Sequence, residues 1–406
     1  MRARLKLLLV KGRENGWQTG CKKTGWGQMA QRLAVVGAGI FGLAHAWAGL
    51  KAGYQVEWIE RDRQAQGASI RNFGMVWPIG QPLGEPTALA LRSRELWKEA
   101  ARLAGVWLQP CGSIHLAHHP DEFAVLEEYA DECARQGLPR RLLTSEEVQR
   151  LTPAANPAGL QGGLFSETEM AVDPPAAIFR LGQWLRSQPG VHSHFSAAAL
   201  GLEPRGGGGI RIALANGEEL EVDRAIVCSG ADVQTLFPQQ LAESGIRLCK
   251  LQMLKTAAQP GGWRFGPHLA SGLTLRHYRA FEFCPSLARV KARFAETAPE
   301  LDRYGIHVMG SQNEAGEIIL GDSHEYDTEI SPFDKQEIDA LILRELAKVM
   351  QLPSWELAAT WHGIYAKYPA GLFWEHEPIP GVSLRTGLGG NGMTLSLAIA
   401  EKFFQS

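Results

Sequence analysis

Apolar and polar positions along the chain follow two periods, and the changes between them mark its elements. Leu33-Ala-Val-Val36 is short and continuously apolar, as a strand buried on both faces requires. Glycines follow at 37, 39 and 42, then an alanine-rich stretch of helical length and a second strand, Gln55–Glu60. Helical periodicity covers 87–105, 121–136 (closed by Gly137), 145–148, 176–186 behind Asp173-Pro-Pro, 332–350 and 395–404. Strand patterns cover 112–117, two pieces of 191–202, a hairpin of 210–214 and 219–222 around Asn216-Gly217, and 224–231. Further strands are expected at 248–256, 305–309 and 317–322. Residues 271–281 are aromatic and cationic, and read equally as a lid or a solvated loop. Strands alternating with helices predict an α/β chain.

Composition narrows this reading. A chain of 406 residues is longer than one core usually serves, so two domains or one elaborated α/β unit are expected. The 45% apolar and 21% charged content is that of a globular protein, and no apolar run approaches the length of a membrane span. The six cysteines lack C-x-x-C spacing, which argues against a zinc site or disulfide framework and suits a reducing cytoplasm. Residues 1–28 carry seven Lys/Arg and one acid and are expected to be a disordered leader, with Met29 reading as a natural start. Without them 34 basic and 42 acidic residues remain, a net charge of −8 that weighs against nucleic-acid binding.

Candidate chemistry begins with Gly37-Ala38-Gly39-Ile40-Phe41-Gly42. The G-x-G-x-x-G spacing allows a tight turn, close approach of a pyrophosphate and helix–strand packing, with the helix N-terminus facing negative charge. Glu60, eighteen residues past Gly42, stands where an acid would hold the adenosine ribose, with Arg61 beside it. The small and amide residues of Gln66-Gly-Ala68-Ser69-Ile-Arg-Asn72-Phe73-Gly74-Met75 suit a backbone pressed against a flat ligand.

The unit strand-G-x-G-x-x-G-helix-strand-Glu followed by G-A-S-x-x-N-x-G resembles the FAD-dependent D-amino-acid oxidase superfamily, which includes glycine oxidase and sarcosine oxidase. The resemblance extends over nearly all of 31–404. It implies a Rossmann-like FAD-binding domain (29–90, 150–240 and 357–406) with an inserted mixed-sheet substrate domain (91–149 and 241–356). It further implies cofactor contacts from Ala199, from Ser229 and Gly230, and from the turn Gly389-Gly390-Asn391-Gly392-Met393-Thr394. In the family this last turn aims a helix N-terminus at the flavin pyrimidine edge.

The resemblance also breaks. Tyr365 stands where glycine oxidase-like members carry the arginine of W-x-G-x-R, which pairs with a substrate carboxylate. Gly363 replaces the cysteine that bonds the flavin in monomeric sarcosine oxidase, so FAD is expected without a covalent link. Thr394 and Ile319 fall where that enzyme has its carboxylate-binding and oxygen-promoting lysines. Lys367, Arg276 and His277 remain as candidate cations for a differently placed anion, with His324 a candidate pocket residue and His45 structural. The motifs R-N-F-G-M-V-W-P, L-Q-M-L, G-D-S-H and W-H-G-I-Y-A-K resemble a subgroup associated with aminophosphonates related to 2-aminoethylphosphonate. The expected function is FAD-dependent oxidation of the C–N bond of a small anionic amine, passing electrons to oxygen or a redox partner. The rivals are a sarcosine or glycine oxidase-like dehydrogenase, an NAD-dependent dehydrogenase, and a flavoprotein with a structural or tRNA-modifying role. The sequence leaves oligomeric state open.

Overall fold

A six-stranded sheet runs Trp374–Ile379, Val382–Thr386, Arg224–Val227, Arg32–Val36, Gln55–Glu60, Val191–Phe195. Its strands pair in parallel except for the antiparallel edge Trp374–Ile379. Both faces are covered, which is why Leu33, Ala34 and Val35 are all buried and the strand reads as continuously apolar. The computed structural model describes residues 30–138 and 140–405, so the expected leader and Met29 lie outside the described residues. From Gln31 onward the chain forms one compact unit.

Among the described residues a nine-stranded mixed sheet is built around Arg247–Thr256, which pairs with Glu325–Asp327, Ile318–Gly321 and the long strand Leu357–Lys367. Leu357–Lys367, which the sequence division groups with the nucleotide-binding segments, is thus paired along its length in the larger sheet. It continues by a backbone bridge from Lys367 to Leu388 and a hydrogen bond from Tyr368 N to Gly387 O (2.9 Å) into the C-terminal glycine turn. The mixed α/β architecture with multiple sheets agrees with the expected fold class.

Three expected elements shift. The strand anticipated at 305–309 is Met309–Gln312; Ile306 and Val308 are apolar because they are buried, while His307 and Asp322 exchange backbone hydrogen bonds in a local crossing. The helix anticipated from 332 starts at Gln336, because buried Lys250 donates to Ser331 O and Phe333 O and holds that stretch as a loop. Residues 271–281 are neither lid nor solvated loop. They form the helix Gly272–His277 and a 3-10 turn, Arg279–Phe281, with Leu273, Leu275 and Phe281 in the core. Six helical residues are too few for periodicity to declare itself.

Candidate functional site

One cleft of about 930 Å³ collects most of the expected cofactor residues. Gly37, Gly39, Ile40, Phe41 and Gly42 line it, with Glu60, Arg61, Ala68, Ser69, Ala199, Ser229, Gly230, Gly389, Gly392 and Tyr365. The glycines are held by geometry rather than by composition. Gly37 has φ +105°, and a Cβ there would lie 2.4 Å from Cys228 O; one on Gly42 would lie 2.0 Å from Gly37 O. Glu60 accepts from Ala38 N at 2.7 Å and from Asp62 N at 3.0 Å, which locks the acid at the end of its strand. Ser69 Oγ accepts from Ile40 N at 2.9 Å and ties the small-residue loop to the helix start.

Other expected contacts sit behind the wall. Asn72 spends its side chain on its own loop, donating to Ala68 O and Ser69 O and accepting from Gly74 N. Thr394 Oγ1 accepts from Trp77 N (3.0 Å), Asn391 Oδ1 from Gln81 Nε2 (2.9 Å), and Met393 O from Trp97 Nε1 (2.6 Å). These bonds pin Asn391 and the start of the C-terminal helix Gly392–Phe403 to Trp77, Gln81 and the helix Glu85–Ala104. Phe73 packs at Gly321, and Gly390 faces the Tyr365 hydroxyl. Gly363 is tightly packed: a Cβ would meet Arg71 O at 3.2 Å and Leu251 Cδ1 at 3.3 Å.

Arg385 was not foreseen. It is 3% exposed, lines the cleft, and packs over Phe41, Phe373 and Phe403. Glu375 reaches it at 3.5 Å, but Nε and Nη1 have no hydrogen-bond partner. A buried guanidinium with idle donors is costly unless an anion completes it. On a strand Val-Ser-Leu-Arg-Thr an arginine reads as solvent-facing, so only the fold reveals it.

The DAO family, FAD dependent oxidoreductase, matches this chain over residues 32–405. The chain belongs to that family. It is an FAD-dependent oxidoreductase, and the NAD-dependent alternative falls away. Glycine oxidase from Bacillus cereus shares the fold at 16% identity and TM-score 0.73, covering 92% of this chain and 94% of that one. L-proline dehydrogenase from P. horikoshii matches at 18% identity and TM-score 0.71, with 93% and 92% covered. L-α-glycerophosphate oxidase from Mycoplasma pneumoniae, a structure with FAD bound, matches at 16% and TM-score 0.69, with 93% and 95% covered.

The residues present fit FAD: two glycine-rich helix starts, Gly39–Ile40 and Gly389–Gly392, face one cleft that also holds the idle Arg385 donors. Arg385→Met should weaken FAD binding by roughly 10- to 100-fold, consistent with the loss of a charge-assisted contact. Titration of apoprotein with FAD, followed by flavin fluorescence, checks this; unchanged affinity removes Arg385 from the cofactor site.

Beyond the glycine turn lies a second group. Tyr365 is buried, which pushes its phenol well above the usual range, and Cys249 opposite it in the strand pair is raised to about 12 by burial. Lys367 donates to Tyr326 Oη at 3.1 Å, and its methylene stem covers Gly389. Burial lowers its pKa. His324 stands 6.4 Å from Tyr365, ring centre to ring centre, and burial lowers it to about 4. His277 packs 4.3 Å from His324. Arg276 makes its direct contacts elsewhere, pairing with Asp302 at 2.5 Å and stacking on Phe294, though its charge is felt at His277 and His307. His45, buried with Nδ1 2.7 Å from Phe41 O, belongs to the core of the first helix.

No described helix is long and apolar enough to cross a membrane. Among the described residues the five cysteines are unpaired thiols.

Proposed function

We propose that the protein oxidises the C–N bond of a small anionic amine, an aminophosphonate related to 2-aminoethylphosphonate being the favoured class. FAD, when bound, accepts the hydride that leaves the carbon beside the nitrogen. The resulting imine takes up water and releases ammonia or an amine, leaving a carbonyl. The observation that carries this reading is the placement of Lys367. Its stem lies on Gly389, which lines the cleft, and its ammonium is at Tyr326, one strand-repeat from buried Tyr365, so a cation lies close behind the C-terminal glycine turn.

A lysine is a point charge and suits the oxygens of a phosphonate, whereas a planar carboxylate favours the arginine fork that is missing here. Tyr365 lines the cleft from the apolar side, backed by Cys249, Leu251, Met253 and Ile319. Gly363, crowded by Arg71, supports non-covalent FAD. Ile319 lies in an apolar patch with Cys249, Leu251, Met253 and Tyr365 and brings no cation near the cofactor, which favours a redox partner over oxygen as electron acceptor. The dispersed free thiols support a cytoplasmic setting.

Anaerobic mixing with a panel of amines tests the substrate class. An aminophosphonate should bleach the visible flavin band, with glycine, sarcosine and L-proline slower by at least about 100-fold, the discrimination that a charge-matched site provides. Bleaching by the amino acids alone would return the substrate reading to the glycine oxidase-like alternative.

A further inference from the structure

Three imidazoles and a carboxylate converge from separate segments beside the cleft. His277 ends the helix Gly272–His277, His307 lies in the crossing before Met309–Gln312, and Asp322 and His324 follow the strand Ile318–Gly321. One nitrogen from each histidine lies within 4.8 Å of one from each of the others. Asp322 Oδ1 is 3.1 Å from His307 Nε2, and Asp322 Oδ2 is 3.8 Å from His324 Nε2.

These polar groups do not satisfy one another. His307 is 2% exposed and Asp322 4%, yet both ring nitrogens of His307 and Oδ1 of Asp322 lack hydrogen-bond partners. The 3.1 Å approach is therefore misdirected for a hydrogen bond. Leaving such groups buried and unpaired costs about 1–3 kcal/mol each, so the persistence of three such atoms on His307 and Asp322 calls for a shared partner. His324 supplies a further sign. Its Nδ1 lies 3.2 Å from Gly305 O; donation of that N–H fixes the tautomer and leaves Nε2 as a lone pair toward Asp322. A ring oriented by a backbone carbonyl with its second nitrogen free is the arrangement that metal-ligating histidines adopt.

We propose that His277, His307 and His324, with Asp322 beside the last two, form a site for one divalent d-block cation, with zinc as the expected class. Three neutral imidazoles and one carboxylate form a nitrogen/oxygen set of borderline softness suited to it. Tetrahedral ligands about 2.0–2.1 Å from zinc stand about 3.4 Å apart, which the two Asp322 contacts bracket. The widest histidine pair would close by about 1.4 Å, within the reach of side-chain rotation. Lys367 and Arg276 bring positive charge nearby, against which the imidazole lone pairs must hold the cation. On the amine reading above, such a cation would add positive charge beside Tyr365, where the arginine of glycine oxidase-like members is missing; the site itself does not depend on that reading.

The test is metal content of purified, FAD-loaded protein after incubation with zinc and gel filtration. About one zinc per chain is expected, falling below about 0.1 in His307→Gln and in Asp322→Asn while the flavin band is retained. Incubation with cobalt should give the visible bands of a four-coordinate ion, lost in the same variants. His376→Gln, on the strand Trp374–Ile379, serves as a control that keeps full occupancy. A metal-free wild type after incubation, or zinc retained in both variants, overturns the proposal. Metal content is read without any amine being oxidised, so failure of the substrate assignment leaves this result standing.

Discussion

Gly42→Val should yield a protein that purifies colourless and takes up FAD at least about 100-fold more weakly than the parent, as a branched side chain forced against backbone demands. The reason is local and steric. A Cβ at this position would fall 2.0 Å from Gly37 O and 2.8 Å from Gly37 C, and a carbonyl cannot rotate away as a side chain can. The helix Ile40–Lys51 would have to lift from the turn, taking with it the N–H groups of its first turn and the Ile40 N to Ser69 Oγ bond. Gly182→Ala is the matched control: its Cβ would meet only Trp58 at 3.8 Å, ordinary contact. Flavin absorbance per polypeptide, with thermal unfolding of both variants, makes the comparison. Normal flavin content in Gly42→Val would refute the close-packing account of the turn.

Lys367→Met should raise KM for the anionic amine by about 100-fold, equivalent to about 2.7 kcal/mol, with FAD still bound. Methionine keeps the stem that covers Gly389, so the glycine turn remains packed while the charge goes. The pH dependence has a definite sign. Burial depresses the Lys367 pKa, so the ammonium is present below that value and is lost as pH rises through it. The parent's KM should therefore climb on the alkaline side earlier than an exposed lysine would allow, and the variant should lack that limb. Steady-state kinetics across pH reads both effects; a KM unmoved by the substitution excludes Lys367 as the anion anchor.

What the sequence made legible was local. The G-x-G-x-x-G turn, its strand, its helix and Glu60 lie within thirty residues, so spacing alone implies their geometry. The Gly389–Thr394 turn was legible only through resemblance, because no single glycine run distinguishes a cofactor cradle from a tight turn. Asn72 could not be given its loop bonds from spacing: its amide, expected at the ligand, also holds its own loop together through Ala68, Ser69 and Gly74. Arg385 was hidden because its burial comes from Phe41, Phe373 and Phe403, far from it in sequence for the first and on other elements for all three. The His277–His307–His324 group was hidden for the same reason, its members spread over almost fifty positions with no motif spacing. Arg276, adjacent to His277, looked equivalent to it; the helix turns one toward the cluster and the other onto Asp302.

Leu357–Lys367 has a consequence for how such an enzyme changes its substrate. The strand is laced to Arg247–Thr256 along its length, carries Tyr365 and Lys367 near its end, and is bridged to the glycine turn between Lys367 and Leu388. The substrate half and the flavin half are therefore not interchangeable cassettes. A transplanted substrate sheet would either leave the proposed anion anchor behind or drag the cofactor turn along. New specificity on this scaffold must arise residue by residue, and the Tyr365 and Lys367 positions are where such histories should be most visible.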